Sequence, residues 1–395
     1  MTTKEWIDLS DHYIMTTYKR FPIVLTRGLG VHVWDSDGRC YLDMVAGIAV
    51  CALGHAHPKV VEALKAQAET LFHVSNLYHI APQILLARLL VENTLFDKAF
   101  FCNSGAEANE AAIKLARKYA SENMKGRYEL ITMRGSFHGR TLATVTATAQ
   151  ERFHVGFEPL PEGFRYVPYN DLPALEEAVT EKTCGVLVEP IQGESGVVIP
   201  DSGYLKGIRR ICDEKGLLMI TDEVQTGMGR TGTLFACEQA DVVPDMMTLA
   251  KALGNGFPIG ALLATDKVAA AFVPGNHAST FGGNPLACSA ALATLETLLG
   301  EGILENCRMV GEYFLSTLTE LKGKHSVIRE VRGQGLMIGV ELTVPGADLV
   351  MKCMEKRLLI NCANGNVLRF VPPLILTRQD VDKAVGILDE VLEEK

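Results

Sequence analysis

The sequence holds ten cysteines yet no CxxC pair, and no His/Cys spacing that suits zinc. The cysteines are scattered from Cys40 to Cys362, and Cys184 and Cys288 sit inside apolar runs, where a free thiol behaves as a small hydrophobe. That usage fits a reducing compartment. Positive charge is also scarce: 38 Lys and Arg face 47 Asp and Glu, for a net charge of −9. This argues against a nucleic-acid surface but leaves room for a local basic pocket. The opening MTTKEWIDLS has no apolar core of a signal peptide. The longest apolar stretch near it, Met44 to Leu53, is far too short to cross a bilayer. A cytoplasmic protein without a membrane partner is expected. No repeat, low-complexity linker or basic helix-turn-helix segment occurs. No G-x-G-x-x-G opens a helix after the first strand, so a dinucleotide fold is not supported.

What is present is a globular composition, 48% hydrophobic over 395 residues, enough for one large core and a smaller one. The chain is organised around Gly216 to Gly260. Two short apolar runs there, Leu217 to Ile220 and Met246 to Ala250, read as strands buried on both faces. Further strands are expected at Ala99–Cys102, Glu129–Met133 and Cys184–Val188, with helices from Pro58 to Leu71, Pro82 to Asn93 and Leu205 to Lys215. Alternating strands and helices predict an α/β fold with a mostly parallel sheet and right-handed crossovers. Past Ala287 two helices, GQGLMIGVEL, VLRFVPPLI and a closing helix from Asp380 predict a smaller α+β domain. The boundaries expected are 56–286 for the large domain and 1–55 with 287–395 for the small one.

Chemistry gathers at the strand ends. The first run stops at Thr221, Asp222 and Glu223, and the second delivers Lys251 and breaks into Gly254, Asn255, Gly256. A desolvated lysine amine forms a Schiff base with an aldehyde cofactor, and a buried aspartate keeps a pyridine nitrogen protonated. A structural ion pair is the alternative on spacing alone. The junction Ser104-Gly105-Ala106 opens a helix whose first N–H groups suit a phosphate, with Ser104 also a helix cap. Phe137 and Arg140 follow another strand end, a ring able to stack and a fork suited to a carboxylate. His55 and His57 read as loop and helix-capping residues, with no metal.

Several long motifs occur in a fixed order: NSGAEANEAAIKLAR (Asn103 to Arg117), FHGRT (Phe137 to Thr141), VEPIQGESG (Val188 to Gly196), ITDEVQTGMGRTG, LAKALGNGFPIGA and STFGGNPLA (Ser279 to Ala287). Together they resemble the class III, ornithine-type aminotransferases along nearly the whole chain. The resemblance implies a fold type I transferase with pyridoxal 5′-phosphate on Lys251 and Asp222 at the ring nitrogen. It places Gly105 and Ala106 at the phosphate, with Ser104 and His138 also at the cofactor. Phe137 would lie over the ring and Gln225 at its hydroxyl oxygen. Thr280 would reach the phosphate in a neighbouring subunit, making a homodimer with shared sites. Arg140 would take a substrate carboxylate, with Arg369 and Glu194 as a switchable pair. The implied reaction moves the terminal amine of N2-acetylornithine to 2-oxoglutarate. Ornithine, succinylornithine, succinyl-diaminopimelate and 4-aminobutyrate are rival donors, and an aminomutase or a regulator without turnover are rivals of other kinds.

Overall fold

The computed structural model describes residues 1–394. Near the N-terminus lie three short strands, β1 (Leu25–Leu29), β2 (His32–Asp35) and β3 (Cys40–Asp43). Next come β4 (Lys98–Cys102), β5 (Glu129–Met133), β6 (Phe164–Val167), β7 (Thr183–Val188), β8 (Leu218–Asp222), β9 (Met246–Leu249) and β10 (Gly260–Ala264). The C-terminal part adds β11 (Ile328–Gln334), β12 (Met337–Leu342), β13 (Leu358–Leu359), β14 (Asn361–Ala363) and β15 (Val367–Phe370).

Strands β4 to β10 make one seven-stranded sheet in the order β4-β10-β9-β8-β7-β5-β6. Pairing is parallel from β6 through β9, and β10 alone is antiparallel to both its neighbours, β9 and β4. The carboxyl ends of β4, β5, β7, β8 and β9 therefore open on one edge, where such sheets place ligands. The sequence pattern does not announce β10. Its residues are GALLA, and tight packing explains the glycine at its start: a Cβ at Gly260 would come within 2.4 Å of the Ser104 carbonyl oxygen. The strand thus lies against the turn that opens the next helix.

Side-chain parity decides which helix each strand meets. On β8, Leu218 and Ile220 pack in the cluster that includes Ala112, Ile113 and Ala116 of the helix Gly105–Asn123. Leu217 and Met219 instead join the cluster of Leu205, Ile208 and Ile211 on the helix Tyr204–Lys215. Each fully buried aliphatic side chain of this kind contributes about 1.5–3 kcal/mol. Counting on by two from Ile220 puts Asp222 on the face of the Gly105–Asn123 helix.

Element boundaries differ from expectation where side chains intervene. The helix from Pro58 stops at Ala68 rather than Leu71, because the Thr70 hydroxyl donates to the carbonyls of Ala66 and Gln67. The helix after Ser104 runs to Asn123, through a polar, largely exposed last turn. Strand β8 extends through Asp222 itself.

Two four-stranded sheets flank the large one, in the orders β1-β2-β3-β13 and β11-β12-β15-β14. The first pairs an N-terminal strand with a C-terminal one, β3 with β13 in parallel. The backbone amides of Val371 and Leu374 also donate to Met44 and Ala52, tying β15's exit to the N-terminal segment. His55 donates across to Asp43 at 2.7 Å and His57 begins the helix Pro58–Ala68. Among the described residues no group of three His, Cys, Asp or Glu could hold a metal ion, and no single helix is long and apolar enough to cross a membrane.

Candidate active site

A cavity of about 390 Å³ lies over the carboxyl edge of the sheet, lined by residues from every one of those strand ends. Asn103 to Ala106 follow β4, and Phe137 to Arg140 follow β5. Glu189 and Glu194 follow β7, Asp222 and Gln225 close β8, and Lys251 follows β9.

Asp222 is 3% exposed, and three donors replace the water it has lost. Its Oδ2 accepts from His138 Nδ1 at 2.7 Å and Asn109 Nδ2 at 2.8 Å, and its Oδ1 accepts from the Val224 amide at 3.0 Å. His138 Nδ1 is the donor to this carboxylate, and its Nε2 is buried without a partner among the described residues. His138 thus braces the carboxylate while lining the same cavity.

Lys251 begins the turn after β9 with φ of 46°, a left-handed conformation that turns the chain sharply at this side chain. Burial lowers its pKa, Glu194 raises it in part, and no hydrogen bond contributes. The charge neighbours are Glu194, Arg369, Asp222 and Glu189, so the amine sits among two signs of charge without being committed to either.

Arg369 on β15 is 2% exposed and reaches Glu194 Oε1 at 2.7 Å and the Gly193 carbonyl at 3.2 Å. Glu194 is more open, its side chain 30% exposed. Burial works against its charge, but the Arg369 guanidinium holds the carboxyl below its ordinary range. Gln225, expected at a cofactor hydroxyl, here contacts this pair, 3.5 Å from both Glu194 and Arg369. Arg140 lies on the cavity's outer side with its guanidinium carbon 3.8 Å from the Phe153 ring centre and 5.3 Å from that of Phe137. Among the described residues it forms no ion pair, so it is available to an anion.

Ser104 caps the helix Gly105–Asn123 by accepting from the Glu107 amide at 3.2 Å. The Gly105 and Ala106 amides, at the first two helical positions, have no backbone partner and face the positive end of the dipole. Gly105 also packs too closely for a side chain, since a Cβ there would lie 2.8 Å from a Val224 methyl. Thr280 is exposed and does not line the cavity of its own chain.

The family model for class-III aminotransferases matches residues 13–392. The chain belongs to the class III aminotransferases. It is 57% identical over 384 residues to the acetylornithine aminotransferase of Caldanaerobacter subterraneus subsp. tengcongensis, covering 97% of this chain and 98% of that protein. With the acetylornithine aminotransferase of Methanocaldococcus jannaschii identity is 53%, over 100% of this chain and 99% of that one. A solved structure of the ornithine aminotransferase from Toxoplasma gondii, with partial occupancy of PLP at its active site, superposes with a TM-score of 0.97 at 35% identity. It covers 100% of this chain and 94% of that one.

Sequence reasoning passed over three residues of this class III site. Asn109 and Thr248 are buried to 1% and 0% exposure; Thr248 is a polar position in the apolar run Met246 to Ala250, which was the available signal, whereas Asn109 stands beside Glu110 and gave none. Glu189 had no assigned role. Its carboxylate is 5% exposed and accepts from the Phe137 amide at 2.9 Å and the Gly193 amide at 3.3 Å. Burial raises its pKa to about 7.

That shift has a measurable sign. In the cofactor-free protein Glu189 keeps its proton up to about 7, whereas the unfolded chain releases it near 4.5. Folding stability should therefore fall as pH rises through that window. Glu189→Gln should remove a part of that fall on the order of 3 kcal/mol. Urea unfolding of both proteins at the two ends of the window checks this, and parallel pH profiles would contradict it.

Proposed function

We propose that this chain transfers the terminal amino group of N2-acetylornithine to 2-oxoglutarate, giving N-acetylglutamate 5-semialdehyde and glutamate. Pyridoxal 5′-phosphate is the cofactor. The observation that carries the reading is Lys251 sharing one cavity with Asp222, whose carboxylate is held by three donors, while among the described residues the lysine amine makes no hydrogen bond.

The residues fit that cofactor. The unpaired amides of Gly105 and Ala106 at a 19-residue helix suit a phosphate, with Ser104 shaping the turn. Asp222 is the acceptor for a protonated ring nitrogen, and Phe137 offers an aromatic face beside it. Bound there, the cofactor supplies a protonated pyridine that withdraws the electrons released when a substrate C–H bond breaks. Asp222 holds the ring proton in place. Lys251 would hold the aldehyde through its amine; once the substrate's amine took its place there, the released Lys251 amine would be free to carry a proton between the substrate carbon and the cofactor carbon.

Two unlike substrates must use one pocket. Acetylornithine reacts at its far end, so its carboxylate lies away from the chemistry, whereas glutamate carries a carboxylate on the reacting carbon. Arg140, partnerless at the outer side, takes the distant carboxylate. Arg369 takes the near one, and Glu194 neutralises Arg369 when none is there. An unpaired guanidinium at 2% exposure would otherwise cost several kcal/mol. The greater exposure of Glu194 suits the member that moves.

The functional unit is read as a homodimer acting in the cytoplasm, with residues 56–286 as the cofactor domain and 1–55 with 287–395 as the smaller one. Thr280 lies beside exposed apolar side chains, with Phe281 at 61%, Phe72 at 62% and Leu77 at 84%. Asn76 donates to the carbonyls of Ser279 and Gly282, so these segments form one surface. Phe281→Asp should yield monomers in sedimentation and lose activity; dimers of full activity would refute the shared site.

Single-turnover half-reactions with a panel of acyl-ornithine, ornithine and 4-aminobutyrate donors test the substrate reading. Acetylornithine should react fastest. Arg369→Ala should slow the 2-oxoglutarate half-reaction about ten- to a hundredfold and barely touch the acetylornithine one. Arg140→Ala should slow both, and Glu194→Ala should shift preference toward glutamate. Equal losses in both halves for Arg369→Ala would reject the switch.

A further inference from the structure

We infer that Asn109 is a positioning residue that keeps Asp222 ionised against the cofactor's ring nitrogen, and that Thr248 sets the direction of its amide. This rests on the cofactor reading above. Parity brings the three together: Asp222 on β8 stands in register with Thr248 on β9, on the sheet face covered by the helix that carries Asn109. Each is at most 3% exposed.

The amide is fixed at both ends. Asn109 Nδ2 faces two acceptors, Asp222 Oδ2 and the His138 carbonyl, each at 2.8 Å. Asn109 Oδ1 accepts from the Thr248 hydroxyl, also at 2.8 Å. A reversed amide would set its oxygen against a carboxylate and a carbonyl and its N–H groups against a donor hydroxyl. Every hydrogen-bonding group of the side chain therefore serves this one orientation, in a helix interior where asparagine is otherwise disfavoured.

The chemical consequence follows from charge. A proton shared between a carboxylate and a pyridine goes to whichever holds it better, and donors to the carboxylate stabilise its ionised form. Asn109 and His138 both donate to Oδ2, while Oδ1 takes only the Val224 amide. Removing Asn109 makes Asp222 the stronger base, and the proton leaves the ring for the carboxylate. The ring then withdraws electrons poorly even with substrate and cofactor correctly bound.

The test uses holoenzyme loaded with cofactor labelled with ¹⁵N in the ring. In the wild-type protein and in Thr248→Ser the nitrogen should keep its protonated shift across the working pH range. In Asn109→Ala and Thr248→Val it should move toward the unprotonated value. For Asn109→Ala, kcat should fall about ten- to a hundredfold, with KM and cofactor content unchanged. Variants that lose melting temperature or cofactor yet keep the wild-type ¹⁵N shift and kcat per bound cofactor would overturn the inference. If Asn109→Ala fails to fold, Thr248→Val against Thr248→Ser decides it. An unprotonated nitrogen in the wild-type protein would overturn the Asp222 assignment itself, whereas a protonated one indifferent to Asn109 overturns this inference alone.

Discussion

The Asp222 carboxylate has almost no access to water and takes its hydrogen bonds from three separate stretches of chain. A charge left bare at that depth would take up a proton, and the site would lose its fixed anion. Much of the fold can be read as meeting this one requirement. The parallel strands bring five loop origins to a single edge, and side-chain parity turns Asp222 toward the helix Gly105–Asn123. The loop after β5 supplies His138, and the turn after β8 supplies the Val224 amide. The same helix presents its open N-terminus to the cavity. One element thus meets the cavity both beside Asp222 and at its own N-terminus.

Much of this was legible in the residues. Lys251 and Asp222 announced themselves as charges ending apolar runs, and Ser104-Gly105-Ala106 as a strand-to-helix junction. The central strands follow from blocks of apolar residues because both faces of the sheet are covered. Three features were hidden. β10 begins with Gly260, whose missing side chain lets the Ser104 carbonyl approach, a constraint on space that leaves no pattern. Asn109, beside Glu110, and Thr248, within an apolar run, carry no charge and fit no motif. Their importance comes from meeting across two strands and a helix, and spacing along the chain carries no trace of that. The pairing of Arg369 with Glu194 was expected only from family likeness, since they lie 175 positions apart and meet only when β15 docks beside the loop after β7.

On the proposed reading, charge balance in the cavity would let one pocket accept two substrates. Lys251 feels Glu194, Arg369, Asp222 and Glu189 together, so moving any one of these groups changes its electrostatic surroundings. A swing of Glu194 away from Arg369 would free a cation for a carboxylate and alter the field at Lys251 in the same motion. On that reading, selectivity and proton transfer would be coupled through that pair.

The account stands or falls on Lys251 as the point of covalent attachment. Reducing the holoenzyme with borohydride and mapping the labelled peptide by mass spectrometry tests this directly. The cofactor-derived mass should be found on the peptide containing Lys251, at close to one label per chain. A label on any other lysine, or none at full activity, would contradict the assignment and the mechanism built on it.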